Sequence, residues 1–262
     1  MPTVSSRART LAVCSALVIV LLAVALFAPL PYSILVPGVT ANTLGKDRGK
    51  PVISISGVRT RPTSGKLLLT TVAATEPDAA VRLVDVVTAW FDSREAAMPR
   101  DSVYPEGSPE EVRRYNQAQM RKSQENATAA ALGHLGLSPR QVKVDLSLED
   151  VGGPSAGLMF ALGIIDKIDG DGRGGDLTGG RVIAGTGTID PEGKVGVVGG
   201  VPLKTLAARR DGATAFLLPR AECAAAKAEV PRGLRLVPVN DLEGALDALR
   251  ALRGEGGRLP SC

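Results

Sequence analysis

The chain has 262 residues, 44% hydrophobic and 22% charged, with a formal net charge of +4. That length buries a real core without staples, and the composition excludes a wholly disordered chain. With 3% aromatic residues few rings are left for base stacking, and without a dense Lys/Arg block the charge does not argue for polyanion binding, so no nucleic-acid partner is expected. The single histidine, His134, rules out a His-rich metal centre.

The chain opens with Arg7 and Arg9, followed by the uncharged run LAVCSALVIVLLAVALFAPL from Leu11 to Leu30. At about 1.5 Å rise per residue this run reaches across roughly 30 Å of hydrocarbon. It reads as an uncleaved transmembrane anchor over 11–31, with a cleaved signal peptide as the rival. The positive-inside bias puts residues 1–10 in the cytoplasm and the rest outside, a single-pass protein of the cell membrane. Cys14 lies in the membrane run, whereas Cys223 and Cys262 fall in the exported part, where disulfides persist. Those two either form a bridge or remain free thiols, since spacing alone does not show that the sulfurs meet.

Residues 32–49 read as a linking first segment. PVISISG (51–57) and KLLLTTVAA (66–74) alternate like strands and predict an antiparallel hairpin or meander. From Ser108, with Pro109 at the first helical position, a helix is predicted to about Leu135. VKVDLSL (142–148) reads as a strand, and Pro154 opens a helix with Ser155 in its first turn. RVIAGTGTI (181–189) is again a strand, and Pro202 opens a helix through Arg210. TAFLLP (214–219), a helix around AECAAAKAEV, LRLVPV (234–239) and a helix over DLEGALDALRAL, capped by Asn240, complete the chain. Strands alternating with helices imply an α/β sandwich, one domain over 50–253 with a tail at 254–262.

VGGPSAG (151–157) is the densest chemical signal. A glycine turn leading into a helix presents Ser155 to free backbone N–H groups, expected over Gly153–Ser155, that stabilise an oxyanion, and Gly153 and Pro154 shape the turn. The bland alternative is a serine that caps its helix. A nucleophilic serine needs a base, and His134 sits at the far end of another helix, so a lysine is the substitute to seek. Lys204 lies just inside the helix opened by Pro202. An ordinary lysine, with a pKa of about 10.4, is neutral about 0.04% of the time at pH 7. The helix N-terminus disfavours the ammonium by at most roughly 2 kcal/mol, so burial near Val201 and Leu206 has to supply more.

GGPSAG, followed across AGTGTIDPEGKVGVVGG by a lysine in GGxxxK and then LAARRxGA, resembles the proteolytic domain of the Lon protease family. That resemblance, over about 50–250 and strongest from Asp150 to Pro219, implies an α+β sandwich of the Lon type behind the transmembrane helix. It also implies Ser155 as nucleophile, Lys204 as general base and Thr186, in TGTI, as a hydrogen-bonding support. The anchor, PTSGKLLLTTV, GGPSAGLMFALGIIDK and GDLTGG resemble membrane-anchored bacterial proteins that couple a PDZ domain to a Lon-type domain. Here only LSPRQ stands where those proteins insert the PDZ domain, and Gly152 stands where Lon has an aspartate.

The pattern G-x-x-x-x-G-K-[ST] does not occur, so no ATP and no cofactor are expected. IDGDGRGGD (168–176) lacks the spacing and terminal Glu of a calcium loop, so no metal is expected. The expected function is an ATP-independent serine endopeptidase acting on extended or unfolded polypeptides outside the cytoplasm, with homo-oligomerisation left open. The rival is a catalytically inactive, membrane-tethered peptide-binding or scaffold protein with the same fold.

Overall fold

A computed structural model of the chain describes residues 6–104, 108–148 and 151–262. Residues 1–5 of the segment read as cytoplasmic, and Asp150 at the start of the strongest resemblance, lie outside them. The chain opens with α1 (Ser6–Phe27), β1 (Tyr32–Asn42), β2 (Lys46–Asp47), β3 (Lys50–Pro51), β4 (Ile53–Ser56) and β5 (Lys66–Ala74). Next come α2 (Leu83–Phe91), β6 (Ala96–Pro99), α3 (Arg100–Val103), α4 (Pro109–His134), β7 (Lys143–Leu146) and α5 (Gly157–Ile168). β8 (Val182–Gly185), β9 (Thr188–Ile189), β10 (Val195–Gly196) and α6 (Val201–Arg210) follow. The chain closes with β11 (Ala215–Pro219), a 3-10 turn (Arg220–Glu222), α7 (Cys223–Lys227), β12 (Arg235–Val239) and α8 (Leu242–Arg253). The class is mixed α/β with one N-terminal apolar helix long enough to be a membrane span or a signal sequence.

The chain divides into two units, Met1–Val36 with Ala74–Glu106, and Pro37–Ala73 with Gly107–Cys262. In the first, Tyr32–Leu35 of β1 pairs antiparallel with β6. In the second, the sheet runs β12-β11-β8-β5-β1, and β5, β8, β11 and β12 are mutually parallel. Parallel strands buried on both faces read as apolar runs, and all of Ala215–Pro219 is buried. Helix α5 is buried from Gly157 to Asp166, so it is apolar on every side except at Asp166. At Gly163 it passes close to its neighbours, since a Cβ there would stand 2.6 Å from Ile53 Cδ1 and 2.8 Å from Thr43 Oγ1.

Several sequence expectations are corrected. The two strands expected as a hairpin do not pair: β4 pairs antiparallel with β7, and β5 pairs parallel with β8. The chain between them is carried off by Gly57, whose φ is +89° and whose Cβ would lie 1.9 Å from Gln141 O. Arg61 then anchors it to Asp176 at 3.0 Å. The segment 32–49, expected as a linker, contains all of β1, a strand interrupted in sequence by Pro37 and Gly38. The strand expected over 181–189 is two, β8 and β9, separated by Thr186 and Gly187. Asp241, and not Asn240, caps α8 by accepting the Gly244 N–H at 2.7 Å.

Candidate active site

Ser155 lies in the turn ahead of α5, two residues before the helix begins, and not in its first turn as expected. The cause is its carbonyl, which accepts the Gly187 N–H at 2.9 Å and so is turned out of the helix. Leu158 N–H returns to Gly187 O at 3.1 Å, tying the turn to the break between β8 and β9. Space is tight behind it, since a Cβ on Gly157 would be 3.0 Å from both Ile189 Cγ2 and Ser123 Oγ. Helix α4 holds the other side: Ser123 Oγ donates to Pro154 O at 2.9 Å, and Gly153 N–H donates to Asn116 O at 3.0 Å. Ser123 is buried, and with Asn116 it faces the turn at a spacing that returns to the same side of a helix. These two were missed in the sequence, where the polar positions of α4 looked like a solvated face.

Lys204 enters from α6. That helix starts at Gly200, in the left-handed region at φ +68°, and Lys204 N–H closes its first turn on Gly200 O at 3.1 Å. The side chain is 4% exposed, and its Nζ donates to Thr186 Oγ1 at 3.1 Å. Thr186, itself fully buried, donates its hydroxyl to Ser155 O at 3.3 Å, while its own N–H donates to Leu217 O at 3.0 Å. Burial pulls the Lys204 ammonium down from its ordinary 10.5 to about 8, opposed only in part by the Glu222 carboxylate. Ser155, Thr186 and Lys204 are thus brought together in one chain of contacts. The lysine Nζ rests on the threonine, and among the described residues it makes no hydrogen bond to Ser155 Oγ.

The donors expected over Gly153–Ser155 need correction. Gly153 N–H is already bonded to Asn116 O, and Pro154 has no N–H to offer. Among the described residues, the N–H groups of Ser155 and Ala156 have no acceptor. Gly152 lies directly on α4, where a Cβ would stand 3.0 Å from Asn116 Cβ, so an aspartate there would press on that helix. His134 pairs through Nδ1 with Glu243 Oε1 at 2.6 Å, away from this cluster. Cys223 and Cys262 are joined, with Cα atoms 5.4 Å apart, and Cys14 is exposed on α1. In the IDGDGRGGD loop, Asp171 accepts the N–H groups of Arg173 and Gly175, each at 2.8 Å, and Asp176 is taken by Arg61 and Ser64.

No curated protein has a significant match to the chain. Residues 149–250, the segment that carries Ser155, Thr186 and Lys204, match the Lon protease (S16) C-terminal proteolytic domain, so this segment is similar to the proteolytic domain of that family.

Proposed function

We propose that this peptidase-family chain is a membrane-anchored, ATP-independent serine endopeptidase with Ser155 as nucleophile and Lys204 as general base. The observation that carries the reading is the buried Lys204 beside the serine turn, held by Thr186. With a pKa of about 8 its amine is neutral about a quarter of the time at pH 7.5, against about 0.1% for an ordinary lysine. Burial therefore supplies a neutral base on the order of 200-fold more often.

In this mechanism neutral Lys204 Nζ takes the Ser155 hydroxyl proton as Oγ attacks the substrate carbonyl carbon. The oxyanion of the tetrahedral intermediate accepts from the unengaged N–H groups of Ser155 and Ala156. The C–N bond then breaks, the lysine ammonium returns its proton to the leaving amine, and an acyl-enzyme remains. Water, deprotonated by the same amine, releases the acyl group and restores Ser155. Catalytic hydrogen bonds tighten in the substrate complex, so a Lys204 amine resting on Thr186 in the free protein suits this sequence of steps.

Helix α1 is the proposed anchor, with residues 1–10 cytoplasmic, 11–31 in the membrane, 32–49 leading out, the proteolytic domain over 50–253 and a tail at 254–262. Arg7 and Arg9 ahead of the span support that orientation. The sequence contains no G-x-x-x-x-G-K-[ST] phosphate-binding loop, in keeping with substrates that are extended or unfolded polypeptides. The test is hydrolysis of an internally quenched, unstructured peptide by the full chain in detergent, with and without ATP. Ser155→Ala, Lys204→Met and the double variant are each expected to fall to the same background, because the pair acts as a unit. Wild-type protein that binds the peptide without cutting it would establish the inactive binding protein instead.

A further inference from the structure

The apolar side chains left outside the first unit gather on one short helix. In α2, Val86 and Ala89 are buried and Leu83 is half-buried. Val84, Val87, Trp90 and Phe91 are exposed, Trp90 and Phe91 at 66% and 87%, and the half-buried Leu83 falls between Val87 and Trp90 around the helix. At about 100° per residue these four occupy an arc of roughly 120°, with Asp85 and Thr88 on the neighbouring polar arc. A contiguous stripe of this kind is unusual on a water-facing surface, and it contains the only tryptophan in the chain.

The same unit holds the end of α1. Leu30 N–H donates to Val81 O at 2.7 Å, immediately ahead of α2. Arg100 fastens the same place, its N–H donating to Pro31 O at 2.9 Å and its guanidinium to Ala79 O at 2.7 Å and Tyr32 O at 3.4 Å. Phe27 ends α1, and the steps from there to Leu30 span at most about 10 Å of extended chain. The polar layer outside the hydrocarbon is itself about 5–7 Å thick on each side. On the anchor reading, which ends the span at residue 31, Leu30 and its partner Val81 sit at the edge of the hydrocarbon and the start of α2 lies at headgroup depth, where tryptophan and phenylalanine beside an apolar face find a boundary that suits both ends of the ring system.

Resting on the anchor reading, we propose that α2 is an interfacial helix whose Val84, Val87, Trp90 and Phe91 stripe inserts into the headgroup–acyl boundary of the leaflet from which α1 emerges. Its ligand is the lipid surface, and it fixes the height and tilt of the first unit over the bilayer.

Trp90 is the built-in reporter. The full chain is reconstituted into phosphatidylcholine vesicles whose acyl chains carry bromine either just below the headgroup or near the chain end, and floated on a density gradient. The expected result is flotation, blue-shifted Trp90 emission, shielding from aqueous acrylamide, and stronger quenching by shallow than by deep bromine. Val87→Ser with Phe91→Ser is expected to restore acrylamide access while flotation persists. Protein that floats with Trp90 open to acrylamide and untouched by brominated lipid overturns the proposal and leaves the anchor standing. A Trp90 shielded from acrylamide but unquenched by either lipid overturns it in favour of a second copy on the stripe. Protein that does not float removes the anchor, and with it this proposal.

Discussion

A lysine taken out of water destabilises the folded chain wherever it is protonated. For Lys204 the gap between 10.5 and about 8 corresponds to about 3 kcal/mol. Between those values the unfolded chain still holds a proton that the folded chain has released, so this cost fades as pH rises through the window and is present in full below pH 8. Lys204→Met removes the charge but also the bond to Thr186, worth about 1 kcal/mol. The variant is expected to melt higher than wild type at pH 7, by about 2 kcal/mol, with the advantage shrinking toward pH 10.5. Thermal melts at a series of pH values check this. In the proposed mechanism catalysis runs on the neutral amine, so kcat/KM is expected to rise about tenfold per pH unit below 8 and level off above it. Thr186 holds the amine without touching the reacting atoms. Thr186→Val is expected to lower kcat about 10- to 100-fold and displace the midpoint of the pH profile, and Thr186→Ser to restore both.

On α5, the counterpart is Asp166. It is fully buried; Oδ1 accepts the Leu177 N–H at 2.8 Å and lies 3.4 Å from Arg61 Nη1, while Oδ2 has no partner among the described residues. Burial raises its carboxyl from 3.8 to about 6. Here the folded chain holds the extra proton between those values, so the cost grows as pH rises and reaches about 3 kcal/mol above pH 6. Asp166→Asn is expected to melt higher than wild type at pH 7 and equal to it at pH 4, read by differential scanning calorimetry. The element pattern of this region was legible in the sequence: Ser108 and Pro109 marked the start of α4, where the structure adds a capping box between Ser108 and Glu111, and the helix runs to His134, close to the expected Leu135. The start of α5 was not, because the carbonyl of Ser155 is claimed by Gly187, a partner that local spacing does not reveal. β1 was hidden by Pro37 and Gly38, which normally end strands; Gly38 is there because β5 passes so close that a Cβ would meet Thr71 Oγ1 at 2.3 Å. Ser155, Thr186 and Lys204 were legible because glycine turns and helix starts carry them, whereas Ser123 and Asn116 act through a tertiary contact that looks like ordinary helix surface.

Across the whole molecule, the Cys223–Cys262 link closes a loop of 39 residues that ties the tail back to α7. Chain entropy sets its contribution at about 4 kcal/mol as an upper figure, a large part of a marginal stability. Reduction is expected to lower the melting temperature yet leave activity at moderate temperature, since the site residues lie on other segments; melting and turnover before and after a reductant check both. Anchor, fold and site meet in a single question, whether Ser155 in the intact chain is a nucleophile driven by Lys204. The full chain in vesicles is treated with a serine-reactive phosphonate across pH 6–10 and read by intact mass and peptide mapping. One adduct on Ser155, forming with a midpoint near pH 8 and absent in folded Lys204→Met, is the expected result; folded wild-type protein that takes no adduct, or takes it elsewhere, would contradict the Ser155/Lys204 assignment.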